Sequence, residues 1–331
     1  MNSALKIYKI LQKKPEFLEK KLKTIFKNPL LKIEKIELLK KKEIAKKEYK
    51  ISLLVKLANN FPEKIITEIH DNKDYFKRNI FFLQNCKTKF ISPAIFYGSF
   101  NSRIIFREFL EGEVILDLIL KRKISFCEIS NFVKKAANFL VFLHNLKPKN
   151  DFSFLKKRLN RKIEKIILSK TLRFIKPNIF QLKEIIKRNL KILFKKMKWL
   201  EESNEKCLIH GDYQPANFIV SPQNKIKIFD FDTLEFGNPA RDLGRFLFHL
   251  SYLAKEIKIP KKKVKEWENL FLKEYLGKRK INFFPDFETN LSVFKAEMIQ
   301  YLILGKIWKE KVTPYEEINS LLKIQSKLLN L

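Results

Sequence analysis

The segment from Cys207 to Asp232 gathers the side chains able to do chemistry. It runs Cys207-Leu208-Ile209-His210-Gly211-Asp212-Tyr213-Gln214-Pro215-Ala216-Asn217, continues through Phe218-Ile219-Val220, and resumes after a break with Ile226-Lys227-Ile228-Phe229-Asp230-Phe231-Asp232. The break, Ser221-Pro222-Gln223-Asn224-Lys225, is rich in residues that favour tight connections, so the two apolar runs read as a short β-hairpin. A turn centred between Gln223 and Asn224 sets Asn217 opposite Asp230 at the open end, facing the loop that bears Asp212. One amide and two or three carboxylates then converge. Two like charges about 4 Å apart repel by about 4 kcal/mol at an effective dielectric of about 20, so such a cluster protonates, stays apart or holds a cation. Magnesium suits the set: a hard ion with oxygen ligands that takes one or two carboxylates and leaves its other positions to water and phosphate oxygens. Asp232 shares a face with Asp230 if the strand stays extended.

The flanking elements must position these groups. From Tyr49 to Leu57 every odd position is apolar while Lys50, Ser52 and Lys56 alternate with them, the period of a half-buried strand. Shorter β-rich stretches span Lys32 to Leu38, Lys64 to His70, Ala94 to Phe100 and Ser102 to Phe109, and a helical stretch from Tyr75 to Gln84 interrupts them. Past Glu111-Gly112 the period changes. Phe132, Ala136, Phe139, Leu140 and Leu143 share one helix face, with further helical runs over Phe154 to Ser169 and Leu182 to Glu202. Helical periodicity returns from Asp242 to the C-terminus, broken near Pro260, around Gly277 to Pro285 and at Pro314. The chain is therefore expected to be α+β, with a β-rich part over residues 1–110 and a mainly helical part over 111–331.

With 331 residues and 45% hydrophobic content, the chain can bury a real core, which excludes a disordered tail or a peptide scaffold. Sixty-nine Lys and Arg against 36 Asp and Glu leave a net charge of +33. The excess is mostly lysine spread along the whole chain, whereas nucleic-acid surfaces favour clustered arginine forks, so a nucleic-acid partner is not the favoured reading. Cys86, Cys127 and Cys207 form no C-x-x-C pair and no even-numbered framework, which speaks against a disulfide scaffold or a zinc site. No apolar run approaches the roughly 18 residues of a membrane span, and Met1 to Lys14 is a Lys-punctuated amphipathic stretch rather than a signal peptide, so a cytoplasmic protein with no membrane partner is expected.

His210-Gly211-Asp212 with Asn217, then Asp230-Phe231-Asp232, Gly237, Pro239 and Asp242-Leu243-Gly244, resemble the catalytic signature of the aminoglycoside phosphotransferase and choline kinase family, relatives of the protein kinases. Pro93 to Gly98 followed by Ile104 to Gly112 resembles the strand, strand and hinge passage of that family, and Phe139 to His144 resembles the helix before its catalytic loop. The resemblance implies a two-lobed protein-kinase-like fold, with a small antiparallel-sheet N-terminal lobe and a larger helical C-terminal lobe. It implies an ATP- and Mg2+-dependent transfer of the γ-phosphate to a hydroxyl of a small molecule. Asp212 would orient the acceptor hydroxyl and receive its proton. Asn217 and Asp230 would hold magnesium, with Asp232 as a further metal ligand. Backbone groups of Glu108 and Leu110 would meet the adenine edge. His210 would fix the loop, and Asp242 would bond loop backbone from a helix start.

Two departures stand out. The turn expected over the phosphates reads Lys40-Lys41-Lys42-Glu43-Ile44-Ala45-Lys46-Lys47, without glycine, so either lysine side chains rather than close-packed amides neutralise the triphosphate, or nucleotide binds weakly and the segment is a solvated basic loop. The strand expected to present a phosphate-binding lysine reads Ile65-Ile66-Thr67-Glu68-Ile69, and the helix expected to carry its acidic partner offers Phe76-Lys77-Arg78-Asn79. The polarity looks reversed, which motivates an alternative: a kinase-shaped binding protein with weak catalysis whose basic surface contacts RNA or another acidic partner.

Overall fold

The computed structural model describes residues 3–45, 48–58, 62–85, 95–99, 103–147, 180–203, 206–279, 287–310 and 315–330. The expected helical run over Phe154 to Ser169, the cysteine at Cys86, the breaks at Pro285 and Pro314, and the pair Lys46-Lys47 lie outside them. The chain folds as two compact units, one made of Met1–Leu118 and Ala216–Leu234, the other of Ile119–Pro215 and Glu235–Leu331.

In the first unit, β1 (Lys32–Ala45), β2 (Glu48–Ala58), β3 (Lys64–His70), β4 (Ile95–Ser99) and β5 (Ile104–Glu108) form an antiparallel sheet in the order β1-β2-β3-β5-β4. The alternation around Tyr49 to Leu57 does what its period predicts: Ile51, Leu53, Val55 and Leu57 are buried. Strand β1 runs further than expected, because Lys40, Lys41 and Lys42 continue the ladder opposite Ser52, Ile51 and Lys50 instead of forming a turn. Long lysine stems suit such a position, and the Lys41 ammonium lies 4.8 Å from the centre of the Tyr49 ring. Sequence periodicity also missed two helices, α1 (Ser3–Lys13) and α2 (Glu16–Phe26). Their apolar stripe, Ala4, Leu11, Leu18 and Leu22, joins Ile51, Leu53, Val55, Ile65 and Ile69 in one core. Helix α3 (Lys73–Asn85) follows β3.

Residues Glu113–Val114 (β6), Phe218–Val220 (β8) and Ile226–Ile228 (β9) make a three-stranded sheet in the order β6-β8-β9. The β8–β9 hairpin exists as expected, with its register one residue away from the expectation. Phe218 pairs with Ile228, Ile219 with Lys227 and Val220 with Ile226, so Asn217 stands opposite Phe229, whose N–H donates to the Asn217 carbonyl at 3.0 Å. The cause is the connection: Ser221 N–H reaches Lys225 O at 2.9 Å, and Asn224 takes a left-handed φ of 56°, so a five-residue loop closes the hairpin.

The second unit is mainly helical. Helix α4 (Ile115–Leu120) leads into it, and α5 (Phe126–Asn145) begins at a capping box in which the Ser125 and Glu128 side chains each bond the other's backbone N–H. Helix α6 (Phe180–Ser203) packs Leu182, Ile186 and Leu190 against Ile299, Ile303 and Ile307 of α9 (Phe287–Glu310) and against Ile318 and Leu322 of α10 (Tyr315–Leu328). Between them lie α7 (Ala240–Glu256) and α8 (Lys261–Lys278), joined to each other by the Phe246 and Phe271 rings stacked 4.4 Å apart. Strands β7 (Cys207–Ile209) and β10 (Glu235–Gly237) pair antiparallel. Among the described residues, no helix is long and apolar enough to cross a membrane.

Candidate active site

Within the second unit the buried strand β7 delivers the chain to His210-Gly211-Asp212. Gly211 turns the backbone sharply at φ 80°, a conformation that a side chain would oppose. Asp242, in the first turn of α7 and fully buried, holds this turn: its Oδ2 accepts the His210 N–H at 2.7 Å and its Oδ1 accepts the Gly211 N–H at 2.8 Å. The expectation that Asp242 bonds loop backbone from a helix start is therefore met.

The anchor extends deeper. On α5, His144 lies with its Nε2 3.2 Å from Asp242 Oδ2 and its Nδ1 2.8 Å from the Tyr275 hydroxyl. Arg279 donates to the same hydroxyl. A neutral imidazole satisfies this chain, with Nε2–H donating to the carboxylate and the tyrosine hydroxyl donating to Nδ1. Burial supports that state by holding the His144 pKa below the ordinary histidine range. Burial pushes Asp242 the other way, but His144, His210 and the loop N–H outweigh it and hold the carboxyl below the ordinary aspartate range. His210 is fully buried, with its ring 3.4 Å from the Asp212 N–H and edge-on to Tyr213, whose hydroxyl donates to Ala136 O at 2.7 Å. It fixes the loop.

Asp212 projects its carboxylate from this rigid turn. Its oxygens accept from Gln214 Nε2 at 2.9 and 3.0 Å, and Oδ1 accepts from Arg245 Nη1 at 3.2 Å. Arg245 is itself braced by the Tyr301 ring, 5.5 Å from the guanidinium carbon, and Glu297 lies 3.9 Å from its Nη2. Glu297 in turn accepts from Arg241 Nη2 at 2.9 Å.

In the first unit the hairpin end is built around a residue that sequence periodicity assigned to the alternating polar side of β2. Lys50 is only 8% exposed, with Nζ 3.2 Å from Asp230 Oδ1, 2.9 and 3.0 Å from the two Asp232 oxygens, and 3.7 Å from Glu68 Oε1 on β3. Arg107 on β5 donates to Glu68 Oε1 at 2.9 Å. Burial opposes the Lys50 charge, but Asp230, Asp232 and Glu68 outweigh it and raise its pKa above the ordinary lysine range. For Glu68, burial is likewise outweighed, by Arg107 and Lys50 first, and its pKa falls well below the ordinary glutamate range.

The strand does not stay extended past Ile228. Asp230 adopts a left-handed φ of 68° and a 3-10 turn follows over Phe231–Thr233, so Asp230 and Asp232 do not share a strand face. Lys50 brings them together instead. Asp232 also accepts from Asn79 Nδ2 on α3, and Phe231 stacks on Phe82 of α3 with ring centres 3.8 Å apart. Arg78, expected as the reversed partner of Glu68, donates to the Leu234 carbonyl. Glu108, at the end of β5, accepts from Lys227 Nζ at 2.8 Å. Leu110, beyond that strand, is buried.

The donor set can be tested for a metal ion. Among the described residues, no three His, Cys, Asp or Glu side chains gather as a metal cluster. An ion at the hairpin end would therefore draw on the Asn217 amide oxygen, the Asp230 carboxylate and oxygens supplied by phosphate or water, which is the hard-oxygen set that magnesium takes. Asp230 is the more open of the two aspartates, its side chain 22% exposed against 6% for Asp232. The chemistry of these donors suits the ion.

Residues 94–260 match the sequence profile described as the phosphotransferase enzyme family. No curated protein sequence matches the chain. Among solved structures, the chain is similar to the ADP-bound aminoglycoside phosphotransferase APH(2'')-Ib, at 19% identity over 92% of this chain and 98% of that one with a TM-score of 0.57. It is similar to the choline kinase LicA from Streptococcus pneumoniae, at 16% identity over 95% and 99% with a TM-score of 0.53. It is also similar to an ethanolamine kinase from Plasmodium vivax, at 16% identity over 91% and 82% with a TM-score of 0.55. The fold is the protein-kinase-like one.

Proposed function

Because the chain belongs to the phosphotransferase enzyme family, we propose that it transfers the γ-phosphoryl group of ATP to a hydroxyl of a small molecule, with Asp212 as catalytic base. The observation that carries this reading is the Asp212 turn. Its backbone is locked by both oxygens of one buried aspartate, Asp242, and only five residues further on the chain enters the hairpin bearing Asn217 and Asp230.

Asp212 accepts a hydrogen bond from the acceptor hydroxyl, aims it, and takes its proton as the oxygen attacks the γ-phosphorus. The bond between that phosphorus and the β–γ bridging oxygen breaks, and ADP leaves with the electron pair. Gln214 and Arg245 hold the carboxylate so that little reorientation remains for the reacting state. Asn217 and Asp230 would hold magnesium, which when bound neutralises charge on the phosphate oxygens. Asp232 serves this reading as a second acid beside Asp230, and backbone groups of Glu108 and Leu110 would receive the adenine edge. Residues 1–110 then form a nucleotide-binding part and 111–331 carry the catalytic loop and the acceptor site. A cytoplasmic location suits an enzyme that draws on ATP.

The test is ATP consumption by the purified chain across a panel of hydroxyl-bearing metabolites, amino alcohols, sugars and aminoglycosides, beside Asp212→Asn. The expected result is acceptor-dependent turnover that the substitution lowers by about 100-fold or more. Equal rates in both proteins for every acceptor would refute it. Salt-steep RNA binding, with no rise in melting temperature on adding Mg2+ and ATP, would favour the binding-protein alternative.

A further inference from the structure

We propose that Lys50, on β2, is the side chain that binds the nucleotide's phosphates, and that Glu68 on β3 serves as its positioning partner. The inference rests on the phosphotransferase reading above and adds to it a residue that neither the sequence pattern nor the family resemblance singled out.

The first observation is where the charge sits. Lys50 pairs with His70 and Glu68 pairs with Ser52 across the β2–β3 ladder, so Lys50 and Glu68 are diagonal neighbours on one face of the sheet. The strand expected to bring a cation brings an acid, and the adjacent strand brings the cation: the two charges have changed places. Glu68 is bonded from its other side by Arg107 at 2.9 Å, which leaves the Lys50 ammonium directed chiefly at Asp230 and Asp232.

The second observation is that stability alone gives no reason for the arrangement. Replacing a buried ion pair with apolar side chains of similar size is commonly neutral or stabilising, so a lysine less than a tenth exposed, held among three carboxylates, is costly to keep for packing. It is well suited to hold an anion beside Asp230. The ammonium is already desolvated and fixed within 3.2 Å of that carboxylate, so its ordering cost is met before ligand arrives. Two cations, Lys50 and Arg107, face three acids, Glu68, Asp230 and Asp232, a balance that a divalent cation at Asp230 would complete and reverse in favour of phosphate. Between Lys40 and Glu48 there is no glycine, so a side chain rather than closely approaching backbone amides must supply the positive charge.

The experiment is equilibrium binding of adenosine, AMP, ADP and ATP in the presence of Mg2+ to the full chain and to Lys50→Met, alongside melting temperatures. The wild type is expected to prefer ATP over adenosine. In Lys50→Met that preference falls at least tenfold, while adenosine affinity stays within about twofold, because a hydrogen bond to a charged partner carries that order of discrimination. Removing the cation alone leaves buried acids unpaired, so Lys50→Met with Glu68→Gln, which removes one charge of each sign, is measured beside it and is expected to show the same loss of preference. Either variant folding and keeping the wild-type ATP-to-adenosine ratio overturns the inference. If wild type binds ATP and shows Asp212-dependent turnover while the variants keep that ratio, only the Lys50 assignment fails. A wild type that binds no ATP removes the phosphotransferase reading itself.

Discussion

Asp242 does three jobs with two oxygens, accepting from the His210 and Gly211 N–H groups and from His144. An asparagine has one acceptor oxygen, and its NH2 would face a donor. Asp242→Asn should therefore leave at least one buried N–H without a partner, at a cost of about 1–3 kcal/mol. It is expected to lower the urea midpoint with an unchanged slope and to reduce turnover beyond what the stability loss explains, because Asp212 loses its fixed turn. Unchanged turnover in the folded variant would show that the anchor is dispensable. At this scale the order and spacing of His210, Gly211, Asp212, Asn217, Asp230 and Asp242 single these residues out in the sequence. Lys50 is not among them. Strand alternation placed it on the polar side of β2, and only pairing with residues 18 and about 180 positions away along the chain reveals that this side is covered too.

At the scale of elements, the hairpin shows how far pattern reasoning reaches. Two apolar runs and a turn-rich gap predicted it, but the register depends on the left-handed φ of Asn224, a backbone choice that residue types permit without dictating. The single-residue shift and the 3-10 turn at Phe231–Thr233 explain why Asp230 and Asp232 meet through Lys50 instead of along a strand. The apolar stripe of helices α1 and α2 is punctuated by lysines, so the sequence shows Met1 to Lys14 only as an amphipathic stretch and does not say which sheet it covers. A helix contact gives the sharpest test. A Cβ on Gly244 of α7 would come within 2.9 Å of Phe294 Cβ and 3.3 Å of Leu291 O on α9, so glycine permits the two helices to touch. Gly244→Ala should overpack this seam and destabilise the protein by about 1–3 kcal/mol, read as a lower denaturation midpoint. A stability equal to wild type would mean that the helices part at no cost.

For the whole molecule, two histidines, the buried His144 and the half-buried His249, contribute to the response to acid. Burial lowers His144, and pushes His249 down to about 4 from its ordinary 6.5. In the unfolded chain each takes a proton near the ordinary value while the folded chain resists it, so the unfolded state binds more protons as the pH falls and stability drops with it. The melting temperature should hold steady above pH about 7 and fall from about 6.5 towards 4. A melting temperature that rose over this window would contradict the neutral state of both rings. The central claim is narrower: Asp212 performs the chemistry while other residues bind the nucleotide. It is tested most directly by measuring Mg2+–ATP affinity and γ-phosphate transfer to an accepted hydroxyl in the same Asp212→Asn sample. The account predicts wild-type affinity with transfer reduced by about 100-fold or more. Transfer at the wild-type rate would contradict it.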